Sequence, residues 1–250
     1  MKTPTQSASL SATEPVSPTD PLAQTDPELA AYFNNFAFNE VPAESAMAPT
    51  TRLMLQLAAT IAAPALNEFK AMAGVALAAG VTAVEIKEIT YQAVPYVGMA
   101  RARDFILGAN EVFTAHGIGL PLPGQPTTTP ETRSAAGLAV QTLIVGAGRN
   151  AAMQAAAPAD QQHIQRFLEA NCFGDHYTRK GIDVPMRELL TFATLVSLGG
   201  ADPQVAGHVA ANLNVGNTRA MLVDTLTQIL PLIGYPRTLN GLRIVNEGTP

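Results

Sequence analysis

The chain has 250 residues, 47% of them apolar and 14% charged, with a formal net charge of −5. That balance excludes a disordered chain, which could not bury enough apolar surface. The 15 scattered basic residues form no patch of the kind a nucleic-acid backbone demands. Alanine is abundant and tryptophan absent, a composition that favours closely packed helices.

Residues 1–25 are rich in Ser, Thr, Pro and Gln, and read as a disordered tail. They lack the apolar core of a signal peptide, and no stretch of about 18 apolar residues would span a membrane. The single cysteine, Cys172, allows no internal disulfide. The expected location is therefore cytoplasmic, with no membrane partner.

Asp26 and Pro27 read as the N-cap and first residue of a helix, with the apolar run from Tyr32 to Phe38 docking on the main body. The stretch 52–63 is helical and ends at Pro64, and 66–79 resumes to Gly80. Thr82 and Glu85 match a capping box, opening a third helix towards Pro95 and Gly98. A fourth helix follows over 100–116. Residues 117–130, with Pro121, Pro123, Pro126 and Pro130, form a connector.

Beyond it, 131–155 reads as one Ala-rich helix and 159–170 as another. Three helix patterns then follow: 187–198, broken by Gly199 and Gly200; a second, with Asp202 and Pro203 as cap and first residue, running to Gly216; and a third opened by Thr218, running to Gly234. No period-2 strand pattern is present. The fold class is all-α.

The two halves superpose at a shift of 135, then 136 residues. Phe38 falls on Phe173, Arg52 on Arg187, Gly80 on Gly216, Thr82 on Thr218, Pro95 on Pro231 and Gly98 on Gly234. Glycines, prolines and a helix cap matching in order are backbone constraints, so the chain is a tandem duplication. The first unit covers 26–116 and the second 131–250. The acid/base candidates Glu188 and His208 occur only in the second, where the first has Leu53 and Met72. Function is accordingly expected in the second unit, with the first supporting the fold.

Glu188 lies ten residues before Leu198 and His208 five after Pro203. At about 1.5 Å per residue their heights in a hairpin differ by roughly 7 to 8 Å. Direct contact would need an asymmetric hairpin or a bridging water. The bland alternatives are a Glu favoured by the helix macrodipole and a core histidine bonded to a carbonyl. No metal-ligand spacing links His116, His163 and His176, and Cys172 reads as a small buried apolar residue.

The stretch 172–242 resembles the carboxymuconolactone decarboxylase family. The resemblance rests on Phe173-Gly174-Asp175 followed by Arg179, the Arg187-Glu188-Leu189-Leu190 helix, His208, Gly216-x-Thr218 and the closing Pro231-x-x-Gly234-Tyr235-Pro236. It implies two tandem alkylhydroperoxidase-like helical units assembling as a homo-oligomer, a trimer of two-unit chains. It also implies a cofactor-free carboxy-lyase acting on a small carboxylated substrate. Glu188 and His208 would be catalytic, and Arg179, Arg187 and Tyr235 substrate-binding, with Lys180 nearby.

The family's peroxide-reducing branch turns over through a Cys-x-x-Cys pair. Those positions hold Ala201 and Gln204 here. An alkylhydroperoxidase-like antioxidant protein and a non-enzymatic helical scaffold or small-ligand binder remain the alternative readings.

Overall fold

The computed structural model describes residues 21–249, and among these it is built of helices without a strand. Two short helices, α1 (Pro21–Thr25) and α2 (Pro27–Asn35), lead through a π-helical stretch (Phe36–Glu40) to the one-turn α3 (Val41–Ala43). The first principal set is α4 (Pro49–Ala62), α5 (Leu66–Ala78), α6 (Ala83–Val97) and α7 (Met99–Ala115). After the connector come α8 (Arg133–Val145), α9 (Ala147–Ala156), α10 (Gln162–Phe167) and a second π-helical stretch (Leu168–Tyr177). The second set is α11 (Val184–Leu198), α12 (Asp202–Asn214), α13 (Arg219–Ile233) and α14 (Tyr235–Gly248).

Most helix limits follow from local chemistry that the sequence displays. The Thr82–Glu85 capping box forms, with Thr82 N–H donating to Glu85 Oε2 at 2.7 Å and Glu85 N–H to Thr82 Oγ1 at 3.2 Å. Thr218 Oγ1 accepts from the Met221 N–H.

Other expectations need correction. Of the expected tail, residues 1–20 lie outside those described, but 21–25 are helical because the Asp26 N–H bonds back to the Leu22 carbonyl at 2.8 Å. Asp26 holds the N-cap position of α2 ahead of Pro27, as expected, but its carboxylate accepts from Thr25 Oγ1 and makes no capping bond; Asp202 lies inside α12, where Ala201 holds the cap position, and accepts from Arg243. Gly146, at φ 89°, divides the expected 131–155 helix into α8 and α9. Asp183 caps α11 through the Met186 N–H at 2.9 Å, so that helix starts before 187. Tyr32 stays 65% exposed, but within the same run Ala37 is buried and Phe33, Phe36 and Phe38 are half-buried, with Val41 buried just beyond.

One buried apolar core runs through both sets, joining Leu55, Leu57, Ile61 and Phe69 to Leu189, Phe192, Leu222 and Ile229. Helix α4 packs on α11 and α13, and α11 packs on α6. Under the repeat α4 corresponds to α11 and α6 to α13, so these contacts are reciprocal. Two buried hydrogen bonds show it directly. Gln56 Nε2 donates to the Gln228 carbonyl at 3.0 Å, and Gln92 Nε2 to Thr191 Oγ1 at 3.2 Å. The repeat superposes Gln56 on Thr191 and Gln92 on Gln228. The units thus exchange equivalent contacts about a pseudo-two-fold.

A smaller cluster of Ile144, Cys172, Phe173, Tyr177 and Ala211 ties α8, the second π-helical stretch and α12 together. Its close packing depends on two glycines. A Cβ on Gly137 would lie 2.0 Å from the Glu169 carbonyl oxygen, and one on Gly174 2.2 Å from that of Arg133. Backbone therefore meets backbone where α8 crosses the Phe-Gly-Asp segment, and Arg133 pairs with Asp175 at 2.7 Å beside it.

Candidate active site

Helices α11 and α12 form a hairpin through Gly199 and Gly200, both in the left-handed region at φ 72° and 70°. Glu188 projects from α11 with no solvent exposure, and His208 from α12 with an 18% exposed side chain. His208 Nδ1 lies 2.7 Å from Glu188 Oε2, a direct hydrogen bond. The asymmetric hairpin is what forms, and no bridging water is required for this contact. Asn212 fixes the register, its Nδ2 donating to the Glu188 carbonyl at 3.2 Å and to the His208 carbonyl at 2.7 Å. Asn217 Nδ2 in turn donates to Asn212 Oδ1 and to the Pro185 carbonyl.

Nδ1 is the ring nitrogen engaged by the Glu188 carboxylate, and Nε2 is the one outside that contact. Glu188 Oε1 is buried without a hydrogen-bond partner among the described residues. It is an acceptor held beside the imidazole, of the kind that calls for a functional account.

His208 stands on the wall of a cavity of about 390 Å³. Helices α8 and α9 supply Gln141, Ile144 and Arg149, the π-helical stretch Cys172 and Phe173, and α6 Tyr96. The volume is that of a small-molecule site, and the lining is chiefly apolar with a few convergent polar groups. Arg149 is its cation: the guanidinium lies 3.8 Å from where a Cβ on Gly207 would stand, one residue from His208.

Tyr96 meets the His208 ring edge-on, with centroids 5.8 Å apart. Its hydroxyl bonds Tyr177 at 2.8 Å, and Tyr177 bonds Thr191 at 2.9 Å. Burial pushes both phenols well above their ordinary range, and the neighbouring Cys172 and Glu188 add to the effect. Both therefore remain protonated donors. Burial likewise pushes the Cys172 thiol up to about 12, against a hydrogen bond from Tyr96 that draws it down. A thiol so held is not a nucleophile at neutral pH. Among the described residues no cluster of three His, Cys, Asp or Glu side chains could hold a metal, and no helix is long and apolar enough to cross a membrane.

The three residues expected to bind substrate do not line the His208 cavity. Arg187 is fully buried and donates to Gln92 Oε1, Glu88 Oε2 and the carbonyls of Arg179 and Lys180. Arg179 grips both Glu88 oxygens and stacks on Tyr91, 4.9 Å from the ring centre. Both arginines are drawn to Glu88, a carboxylate of the first unit that is 1% exposed, instead of to the His208 cavity. Tyr235 lies at the first turn of α14, 61% exposed and away from the site.

The residues missed are Arg149, Tyr96 and Gln141. Arg149 is a lone cation in an Ala-rich stretch, and that isolation was its only signal. Tyr96 falls on Leu232 in the repeat, a difference as marked as those at Glu188 and His208. It also amends the division of labour between the units, since the first supplies part of the cavity wall.

Fold and site together define an all-helical, internally duplicated protein whose hydrogen-bonded Glu188–His208 pair stands on a cavity of small-molecule size. The chain belongs to the Carboxymuconolactone decarboxylase family, whose sequence profile matches residues 27–111 and again 162–247. The matched spans are offset by 135 residues at their starts and 136 at their ends, the same shifts that superpose the repeat. No curated protein matches the chain.

Proposed function

We propose that the protein is a cofactor-independent carboxy-lyase of the carboxymuconolactone decarboxylase type, acting on a small carboxylated lactone or related acid. The observation that carries this reading is the 2.7 Å Glu188–His208 pair on a cavity that also holds Arg149. Arg149 receives a substrate carboxylate by charge-assisted hydrogen bonding. The bond from carbon to the departing carboxylate breaks, CO2 leaves, and the electron pair passes into the conjugated carbonyl as an enolate. His208, protonated on Nε2, returns a proton to carbon, and Glu188 stabilises the imidazolium through Nδ1–H. Tyr96, kept neutral, orients the ring edge-on.

The peroxide-reducing alternative draws no support from a buried, protonated Cys172. We also propose a cytoplasmic setting, where a single unpaired thiol stays reduced, and assembly as a homotrimer. The apolar side chains of Leu143 on α8 and of Ile164 and Phe167 on α10, each more than half exposed, favour assembly.

The test is turnover of carboxylated muconolactones, followed by CO2 release, with wild type against His208→Gln. Loss of about 10²- to 10⁴-fold in kcat is expected for a removed general acid. Equal inertness of wild type and variant across such lactones would sink the proposal.

A further inference from the structure

A second cavity, of about 360 Å³, lies between α6, α7 and the connector, and shares no lining residue with the His208 cavity. Its polar wall is Lys87, Glu88, Tyr91, Asn110 and Arg179. Val84, Ile106 and Leu120 make its apolar side.

The charge balance of this wall is uneven. The Glu88 carboxylate is shared by two guanidinium groups, Arg179 and Arg187, and its oxygens are saturated by them. That triad already carries one excess positive charge. Lys87, 8% exposed, adds another. Its ammonium donates to Asn110 Oδ1 and lies 5.3 Å above the Phe113 ring, with no carboxylate partner among the described residues. Burial pushes the Lys87 pKa down, as expected of an ammonium taken from water without a counter-ion. A buried cation is normally paired. Here the missing negative charge would have to come from the cavity.

We propose that this cavity is a binding site for a small organic monocarboxylate, received by Lys87 and Asn110, with its apolar body against Ile106 and Leu120. Asn110 Nδ2 is the second donor to the same anion. Arg179 reinforces the field while remaining bound to Glu88. The apolar side selects an organic acid over a bare inorganic anion, whose hydration it would strip without replacement. The site lies mainly on the first unit, the half without Glu188 or His208 counterparts, and does not depend on the proposed lyase chemistry.

The experiment titrates the full-length protein with benzoate, following the methyl NMR signals of Ile106 in this cavity and Ile144 in the other. Benzamide and inorganic phosphate serve as control probes. Saturable movement of Ile106 with benzoate, little with benzamide, and about ten-fold or greater weakening in Lys87→Met with retention in Lys87→Arg are expected, the scale of a lost charge-assisted contact. Ile144 reports the His208 cavity independently, so failure at one site does not decide the other. An Ile106 signal unmoved by benzoate, or moved equally by benzamide, overturns the proposal in wild type without any variant. Phosphate binding as tightly as benzoate overturns the organic specificity, and an unchanged affinity in folded Lys87→Met overturns the role of Lys87.

Discussion

Replacing Arg187 by methionine distinguishes an arginine that holds the fold from one that holds substrate. The guanidinium is wholly buried and donates to Gln92 Oε1 at 3.0 Å, Glu88 Oε2 at 2.9 Å, and the Arg179 and Lys180 carbonyls at 3.1 Å each. Removing one partner of a buried ion pair costs about 3 to 5 kcal/mol, largely through the charge left behind. Glu88 keeps Arg179 on both its oxygens. Burial already opposes the Arg187 charge, pushing its pKa down, so methionine regains part of that penalty. The lower end, about 3 kcal/mol, therefore applies. For a chain of this size that is a fall in Tm of roughly 6 to 12 °C, at about 2 to 4 °C per kcal/mol. Scanning calorimetry reads the stability, and steady-state kinetics on the folded variant reads KM, which should stay near wild type. A Tm within about 2 °C of wild type, or a KM raised about ten-fold, would refute the structural assignment.

Other consequences are as direct. Arg149→Gln, made on an exposed helix, should leave Tm nearly unchanged while raising KM for a carboxylated substrate about ten-fold or more; an unaltered KM removes Arg149 from the site. Gly174→Ala puts a Cβ 2.2 Å from the Arg133 carbonyl oxygen, so α8 must shift. With about 1 Å of displacement in a cavity wall, kcat/KM should fall about 10²-fold alongside a lower Tm, and an unperturbed variant would show that the two backbones can part freely. Cys172 should resist iodoacetamide at pH 8 until the protein unfolds, because its thiol is pushed up to about 12; rapid labelling of native protein would contradict this. The same shift has a definite sign. The unfolded thiol ionises near its ordinary value of 9.0 while the folded one holds its proton to about 12, so stability should decline as pH rises across that interval. Light scattering should give the mass of three chains at micromolar concentration, and a stable monomer would end the trimer proposal.

Much of the backbone was legible because its determinants are local. Thr82 with Glu85, Thr218 before Met221, and Gly80 and Gly216 act within four residues of themselves, so pattern alone locates them. The repeat was legible for the same reason, as prolines and glycines mark fixed backbone points. Asp26 sits at its cap position but gives its carboxylate to Thr25, and Asp202 falls inside α12 and pairs with Arg243. The 131–155 helix failed at Gly146, whose positive φ a helix cannot carry.

The acid/base pair stood out in the sequence as residues that one unit has and the other lacks. What the sequence determined was the all-helical duplication and the difference between the units at Glu188 and His208. Tertiary structure alone decided which groups surround them. The contacts that settled it span long stretches of chain: 81 residues from Tyr96 to Tyr177 and 99 from Glu88 to Arg187. Arg187 looked available to a substrate until the first unit's Glu88 came to face it in the shared core. Arg149 joins the site only because α9 brings it beside Gly207. A charge finds its partner by position in the folded chain, and side-chain spacing along one helix carries no record of what another helix brings to it.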